Sequence, residues 1–432
     1  MSVTPRKEGR VIIIGASLAG SMAAIKLARA GLSVTLIDKE SFPRRKPCGE
    51  GLSARGQAEL TAAGCSLNEL SCEHRPLEGY RIFHGACSLE IPDQAGLVGV
   101  SRMELDNRLL SYASRFPSIE IVLGGKASVL ESRIGYCKVR ARGCDFVGGT
   151  LIVADGAASP TVRSLGRTVR VPRSPRLGTS SSWGLVRGEL SSKVHTVLVR
   201  GGEIYLTPLV NGVVNVSALG DRSLIQPFAQ ERSLRVRVDA IAETIGVSLE
   251  PIHTPLSCGA INTLYRGANI HGAYVIGDAC ETFDPCAGFG MAHALLTGRL
   301  AAQCVTRGLG EIDPTAALRA YEVEREGRVR DVRGFTRLTS ATMTSGLGRM
   351  SLPLLVSTGL AARVSRSVHT AHESSAVRHL VSLLGGRRRS HREEHLLVSK
   401  ALPIFLAPHY FCASSDVSLL CEADDLSTHS EV

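Results

Sequence analysis

The chain has 432 residues, 44% of them hydrophobic and 21% charged, which predicts a globular protein of two to three domain-sized units and excludes a largely disordered one. It contains no apolar run of about 18 residues, so we expect no membrane-spanning helix. The net charge of +10 fits a basic solvated surface or a phosphate-bearing ligand, whereas 4% aromatic residues and the lack of a nucleic-acid-binding motif argue against nucleic acid.

The cysteines indicate a reducing compartment. There are 12 of them, scattered without a Cys-x-x-Cys pair, and charged residues run directly into the first apolar segment without a signal-peptide pattern. We therefore expect a cytoplasmic protein with reduced thiols and no metal site. The sequence leaves the oligomeric state open.

The N-terminal segment predicts a βαβ unit. A β-branched strand at 10–15, a helix at 19–30 and a second strand at 33–38 follow in that order. The turn Gly15-Ala-Ser-Leu-Ala-Gly20 matches the dinucleotide fingerprint G-x-G-x-x-G except at its middle position. Asp38 stands where an acid binds ribose hydroxyls, so this unit is typical of a dinucleotide site.

A basic segment follows the second strand. The segment is Phe42-Pro-Arg-Arg-Lys-Pro-Cys-Gly-Glu-Gly-Leu-Ser53, and its three adjacent cations could neutralise a pyrophosphate. A solvated basic loop explains the same segment equally well. Ser53 is a candidate N-cap for the next helix. Further on, a helix is predicted at 102–113 and a buried strand at 150–155, which ends in Asp155-Gly156 before Arg163 on a short helix.

Residues 180–260 predict an antiparallel sheet. Strands at 194–199 and 213–219 alternate with turns. Alternate residues of a strand share a face, so Glu203, Tyr205 and Thr207 are expected to point together. With Trp183, Tyr205 and Thr207 are candidates to face a substrate, but ordinary sheet positions are the more common case, and we name no catalytic acid or base.

A second glycine-rich turn follows the strand predicted at 273–277. The loop 285–290 leads into a helix that begins near 289–291, whose free amides favour an anion. Cys280 and Cys286 have no zinc-site spacing, and His293 on an apolar helix is more often packed than a ligand or a covalent anchor. From about residue 316 the chain is predicted to be mostly helical. The run Arg387–Arg389 with His391 and Arg392 is read as a solvated face, with contact to anionic lipid as the alternative.

Four of these motifs, in this order, resemble the FAD-dependent oxidoreductases built like p-hydroxybenzoate hydroxylase. The resemblance covers about 10–302. It implies that the first turn binds the ADP part of FAD, that Asp155-Gly156 serves both FAD and NAD(P)H, that Asp278 binds a ribityl hydroxyl, and that the loop 285–290 lies against the flavin ring. The Pro-Cys-Gly-Glu-Gly segment is most similar to the geranylgeranyl-reductase-like branch. Ser17 departs from the usual glycine, and the absence of the halogenase tryptophan motif makes halogenation a poor reading.

The resemblance gives a set of expected cofactor-binding residues. They are Gly15, Ser17, Leu18, Ala19, Gly20, Asp38, Lys39, Arg45, Cys48, Gly49, Arg102, Asp155, Gly156, Gly277, Asp278, Pro285, Gly288, Gly290 and Met291.

The expected fold class is α/β, with a Rossmann-like, glutathione-reductase-like FAD-binding domain, an inserted antiparallel β-sheet substrate domain and a C-terminal helical region. The FAD-binding domain is assigned to 1–75, 100–180 and 270–315, and the substrate domain to 76–99 and 181–269. The helical region is assigned to 316–421, and an acidic tail to 422–432.

The expected function is an FAD-dependent monooxygenase that uses NAD(P)H and hydroxylates or epoxidises a hydrophobic or aromatic small molecule. The alternative is a geranylgeranyl-reductase-like enzyme that saturates isoprenoid double bonds, and a third class is a flavin-binding protein without catalysis. Peripheral membrane contact is compatible with either enzyme. The substrate and the choice between NADH and NADPH are not fixed by the sequence.

Overall fold

The computed structural model describes residues 10–85, 87–168, 175–228, 230–259 and 261–370. The predicted 387–392 arginine run and the acidic tail lie outside these ranges. The helices are α1 (Leu18–Arg29), α2 (Ala54–Ala62), α3 (Arg102–Ala113), α4 (Pro160–Ser164), α5 (Arg222–Phe228), α6 (Glu231–Thr244), α7 (Gly277–Cys280), α8 (Gly290–Gly310), α9 (Pro314–Thr344), α10 (Gly346–Ser357) and α11 (Leu360–Thr370), with a 3-10 turn at Pro285–Ala287.

The strands of the described residues form four sheets. They are β1 (Val11–Ile14), β2 (Val34–Ile37), β3 (Gly51–Leu52), β4 (Arg75–His84), β5 (Cys87–Gly99), β6 (Ile119–Val122), β7 (Ser128–Arg133), β8 (Tyr136–Ala141), β9 (Cys144–Gly148), β10 (Thr150–Val153), β11 (Leu177–Arg187), β12 (Val194–Val199), β13 (Gly202–Pro208), β14 (Val213–Gly220), β15 (Ser248–Pro251), β16 (Leu256–Cys258), β17 (Leu264–Tyr265), β18 (Asn269–Ile270), β19 (Ala273–Val275) and β20 (Glu281–Thr282).

The first sheet is parallel except at one edge. Its order is β18-β19-β10-β1-β2-β6, and only β18 runs antiparallel to its neighbour. Every residue of β1 and β2 is buried, as expected for strands covered on both faces. The chain leaves β1 toward β2 on one side and β10 on the other, which creates a crevice at the carboxyl ends of these strands.

The second sheet forms a roof over that crevice. Its order is β15-β11-β14-β13-β12-β4-β5-β3. One face packs on α5 and α6 through an apolar cluster that includes Leu206, Val216 and Phe228. The other face looks toward the first sheet. This α/β architecture with C-terminal helices confirms the predicted fold class.

The strands within 177–258 pair antiparallel with one another, as predicted for residues 180–260, but the whole second sheet is mixed because it also contains one parallel pair. Strands β12 and β4 pair in parallel, with Val194 opposite Tyr80. These strands come from separate passes of the chain through the sheet, and no hairpin joins them. Nothing in the connection therefore forces them to run in opposite directions.

Helices α1 and α8 cross at very short range. A Cβ on Gly298 of α8 would stand 2.3 Å from the Ala19 carbonyl oxygen of α1 and 3.2 Å from the Cβ of Met22. Only glycine permits this separation. The contact brings the beginning of α8 to the same side of the first sheet as the beginning of α1.

We predict that Gly298→Ala lowers the free energy of unfolding by about 1–3 kcal/mol, because the new methyl group overpacks a backbone contact. Alanine normally stabilises a helix relative to glycine, so the sign is opposite to the helix-propensity effect. Urea denaturation measures the change. Gly310→Ala, at the end of the same helix with no atom within 4 Å of the added Cβ, is the control and is expected to be neutral or stabilising. Equal stability of the two variants would contradict the tight crossing.

Candidate active site

A cleft of about 1050 Å³ lies between the carboxyl ends of the first sheet and the roof. This volume matches or slightly exceeds the ~300–1,000 Å³ of sites for a single small ligand. All the expected cofactor-binding residues line the cleft except Gly20, which lies beneath the first turn. The structure therefore brings the predicted residues together, while their contact with a cofactor stays a prediction.

The first glycine turn is packed against the end of β10. A Cβ on Gly15 would stand 2.3 Å from the Ala154 carbonyl oxygen, and a Cβ on Gly20 would stand 1.7 Å from the Gly15 carbonyl oxygen. The first intrahelical bond of α1 runs from the Ser21 amide to the Ser17 carbonyl. The preceding amides of α1 have no intrahelical partner, so this helix start, which opens into the cleft, favours an anion.

Ser17 has a role that the sequence pattern did not indicate. It stands at the N-cap position of α1, but its hydroxyl makes no capping bond. Instead, its Oγ donates to Asp106 Oδ2 at 2.9 Å and accepts from Arg102 Nη2 at 3.1 Å. Arg102 and Asp106 also form a buried ion pair at 3.0 Å. The serine that replaces the usual glycine thus ties the first turn to α3.

Two of the three predicted acids of the cleft, Asp38 and Asp155, also have structural roles, and Asp278 lines the cleft with them. The Asp38 carboxylate accepts from the Ala16 amide at 2.7 Å and from the Glu40 amide at 2.9 Å. Asp155 accepts from the Thr161 amide at 3.0 Å and from the Ser159 hydroxyl, which fixes the start of the short helix α4. Each carboxylate retains acceptor positions, because an ionised carboxylate has about four lone-pair sites.

The second glycine turn is held by α8. Gly277 has φ +55°, in the left-handed region, and its amide donates to Thr297 Oγ1 of α8 at 2.9 Å. Gly288 has φ +68°, and the helix then begins at Gly290. Gly290 and Met291 line the same cleft as the first turn. Two helix starts therefore open into one cleft.

The roof places a polar face over the second turn. Tyr205 and Thr207 both line the cleft, so they share a face of β13 as their spacing predicted. Glu203, on the same side of β13, is fully buried and accepts from Arg176, which also pairs with Asp284 at 3.2 Å. Burial raises the pKa of Glu203, and Arg176 partly offsets this effect.

Trp183 does not face the cleft, so its candidate role at the substrate is wrong and the more common case, an ordinary sheet position, holds for it. Its side chain is 1% exposed and belongs to the apolar cluster between the roof and the helices α5 and α6. Ser180, an odd number of residues away on the same strand, is on the opposite face, where its hydroxyl accepts from the Cys48 amide at 3.2 Å. The strand alternation that correctly grouped Tyr205 with Thr207 therefore turns Trp183 away from the cleft.

The structure adds an apolar wall that no motif indicated. Its residues come from strands β4, β5, β12 and β14 and from the segment after β16, and they line the cleft: Tyr80, Leu97, Val194, Leu219 and Ile261. The Tyr80 hydroxyl lies 3.9 Å from the position of a Cβ on Gly288. The Tyr205 hydroxyl is buried and has no hydrogen-bond partner in the described residues. Only the pairing of β4, β5, β12, β13 and β14 brings the strand residues together, and pairing has no local sequence signal.

The prediction that His293 is packed in the core is confirmed. His293 is 2% exposed, its ring meets Phe283 edge to face at 4.9 Å, and neither ring nitrogen has a hydrogen-bond partner in the described residues. Cys280 is fully buried in the main core. Cys286 lines the cleft, and burial raises the pKa of its thiol. Within the described ranges, no three His, Cys, Asp or Glu side chains are placed to hold a metal.

The cleft fits the expected FAD. A Cβ on Gly156, after β10, or on Gly290, at the start of α8, would meet no protein atom within 4 Å, so these two positions leave open space of the kind that a bound group fills. The cations that a pyrophosphate requires are present along the lining: Lys39, Arg44, Arg45, Lys46, Lys126 and Arg163. Residues at the first turn would hold the phosphates, and residues at the second turn would hold the ring.

Comparisons with known proteins agree with this fit. A family model described as an FAD binding domain matches residues 8–112. Menaquinone reductase of Mycobacterium tuberculosis H37Rv is 33% identical over 331 residues, which cover 72% of this chain and 80% of that protein. Digeranylgeranylglycerophospholipid reductase 1 of Methanopyrus kandleri is 25% identical over 348 residues, which cover 75% of this chain and 88% of that protein.

A solved structure has the same fold. It is a geranylgeranyl bacteriochlorophyll reductase-like protein from Thermoplasma acidophilum, with a TM-score of 0.70 at 20% sequence identity, and the match covers 92% of this chain and 99% of that one. None of the described helices is both long and apolar enough to cross a membrane.

We predict that Gly290→Val weakens FAD binding by roughly tenfold or more, because the new side chain occupies open space at the start of α8. This backbone position has no positive φ, so stability should change little. The dissociation constant for FAD is measured by quenching of flavin fluorescence. Gly346→Val is the matched control: it also opens a helix and has no atom within 4 Å, but it does not line the cleft. Equal affinity of the two variants would contradict the placement of FAD at this turn.

A second prediction concerns pH. Burial, and then the Arg325 charge, lowers the pKa of His293 to about 3, whereas the unfolded chain has the ordinary value of about 6.5. The unfolded state therefore takes up a proton first, and the stability given by the neutral folded form is lost as pH falls below about 6.5. Between pH 7.5 and pH 5.0, His293→Leu should lose about 2 kcal/mol less unfolding free energy than the wild type. Identical losses in urea titrations would show that His293 is not buried as the neutral base.

Proposed function

Because this chain belongs to the family of FAD-dependent oxidoreductases that includes mycobacterial menaquinone reductase, we propose that it reduces a double bond in the polyprenyl chain of a lipid. The two reductases named above act, by their names, on a menaquinone and on a digeranylgeranylglycerophospholipid. These lipids differ in their polar heads and share a polyprenyl chain. The shared chain is therefore the best candidate for the part that reacts.

The apolar wall of the cleft is the observation that carries this proposal. Leu97, Val194 and Leu219 line the cleft, and Leu97 and Val194 form an apolar cluster with Tyr80. The Tyr80 hydroxyl lies 3.9 Å from the position of a Cβ on Gly288, in the second glycine turn, where the resemblance puts the flavin ring. An aliphatic chain gains about 25 cal/mol for each Å² of apolar surface that it buries there. A polyprenyl chain matches such a wall better than a small polar metabolite does.

FAD, when bound, supplies the hydride chemistry. The chain's own residues bind and orient the substrate and the cofactor and shield them from water. The start of α8 at Gly290 presents amides that favour negative charge beside the second turn. The roof covers the cleft and limits access of water, which strengthens electrostatic interactions inside it. The buried Tyr205 hydroxyl is available to donate a hydrogen bond to a bound substrate.

Oxygenation, which the sequence pattern favoured, is the second candidate. The roof presents the hydroxyls of Tyr205, Thr207 and Ser217 to the cleft, and a purely aliphatic substrate needs no such partners. A hydroxylated aromatic substrate would use them. A flavin-binding role without catalysis is the third candidate, and it predicts no turnover of any lipid.

NAD(P)H is the proposed reductant. The cations Arg44, Arg45 and Lys46 on the cleft margin suit the phosphates of a second nucleotide as well as those of FAD. Loss of flavin absorbance on anaerobic addition of NADH or NADPH tests this step and identifies the preferred nucleotide. A flavin reduced by neither nucleotide points to another electron donor.

The decisive test is anaerobic turnover. Protein reduced with dithionite is mixed, without oxygen, with a polyprenyl quinone in detergent micelles, and the product is analysed by mass spectrometry. We expect the lipid to gain two hydrogen atoms in its side chain. A product that forms only with oxygen and carries one atom from labelled oxygen gas would establish the monooxygenase instead.

A matched pair of variants locates the substrate. Val194→Thr keeps the shape of a 5% exposed side chain but adds a hydroxyl to the apolar wall. We expect kcat/KM for the lipid to fall roughly three- to tenfold, because burying an unpaired hydroxyl is costly. Val186→Thr makes the same change at a 54% exposed position and should leave kcat/KM unchanged. Equal effects of the two substitutions on kcat/KM would show that the apolar wall does not contact the lipid substrate.

A further inference from the structure

Helix α10 exposes an apolar face. Its outermost side chains are Met350, 77% exposed, and Leu354, 47% exposed, with Pro353 exposed between them. These residues are spaced i, i+3 and i+4 and therefore lie on one side of the helix. No charged residue shares this face. An exposed helix face normally carries charges, so a contiguous apolar face marks an interaction site.

The opposite face of α10 is firmly attached to the roof. Leu352 and Val356 pack on Ile82 and Leu198, which lie on strands β4 and β12. Arg349 donates to the carbonyl oxygens of Met343 at 2.7 Å, Val199 at 3.1 Å and Gly202 at 3.2 Å. The exposed residues are therefore presented by a fixed element.

Cations flank the apolar face. A groove of about 390 Å³ lies between β5 and the turn from α10 to α11, and its lining includes Arg363 and Arg366. The acid in the same lining, Glu90, pairs with Lys193 at 3.0 Å. Arg363 is exposed. The chain as a whole has a net charge of +10. An apolar helix face beside cationic side chains complements an anionic phospholipid surface, where the acyl region meets phosphate groups.

The same face of the roof leads from α10 to the cleft. Ile82 and Leu198 pack under α10, whereas Tyr80 and Val194, on the same sides of β4 and β12, line the cleft. The distance along β12 from Leu198 to Val194 is four residues, or about 13 Å. A surface that bound α10 would therefore lie close to the apolar wall of the cleft.

We infer that the exposed face of α10 docks on the surface of an anionic phospholipid bilayer, with Met350 and Leu354 entering the headgroup boundary and Arg363 meeting lipid phosphates. Docking would let a polyprenyl lipid pass from the bilayer to the cleft without crossing water. The transfer of a polyprenyl lipid to the cleft rests on the proposed function, whereas the docking of α10 on a bilayer does not.

The test uses the full chain with vesicles of phosphatidylglycerol and phosphatidylcholine, and it measures sedimentation with lipid. We expect the wild type to bind the anionic vesicles and the double variant M350E/L354E to bind roughly tenfold more weakly. Arg363→Gln should weaken binding about fivefold on phosphatidylglycerol alone, because one cation near an anionic surface contributes about a factor of five.

Val323→Glu is the matched control. Val323 is 72% exposed on α9 and stands between Glu322 and Glu324, so its substitution should leave vesicle binding unchanged. Turnover of lipid in detergent micelles is measured for every variant; it tests the proposed function separately and should not change in M350E/L354E.

Two results would overturn the docking. One is vesicle binding that is absent in the wild type or equal in the wild type and M350E/L354E. The other is a change of oligomeric state in that variant without a change in vesicle binding, which would assign the face to a second copy of the chain. In either case, unchanged turnover of lipid in detergent micelles would still support the proposed reductase activity.

Discussion

The close crossing of α1 and α8 is the constraint on which the cleft depends. The absence of a side chain at Gly298 lets α8 approach the Ala19 carbonyl, and the Gly277 amide is tied to the same helix through Thr297. As a result, two glycine turns that are far apart in the sequence open into one cleft. Each turn also presents a helix start, so the cleft has two positions that favour negative charge.

The roof gives this cleft its chemical character. Its inner face is polar at Tyr205 and Thr207 and apolar at Val194, while its outer face forms a separate core with α5 and α6. Because side chains alternate along a strand, one sheet can provide both a substrate wall and a core. The same inner face continues to helix α10, so the substrate end of the cleft and the exposed apolar helix face belong to one continuous surface.

Local sequence patterns were sufficient to predict the helices and strands that depend on residues close together in the sequence. The β1–α1–β2 unit follows from its apolar runs and glycines, and α3 has the predicted bounds, Arg102–Ala113. The parallel pairing of β12 with β4, the apolar wall and the direction of Trp183 depend on strand partners, which no local pattern specifies. Ser17 shows the same limit, because its place between Arg102 and Asp106 exists only after α3 has packed on α1.

We predict that both glycine turns hold one FAD and that the chemistry takes place beside the second turn, under the roof. A crystal structure of the protein with FAD tests this claim most directly. We predict a single FAD per chain, with its pyrophosphate at the turn from Gly15 to Gly20 and its ring against the loop from Pro285 to Gly290. An FAD confined to the first turn, with its ring outside the space between Gly290 and Tyr205, would contradict the account.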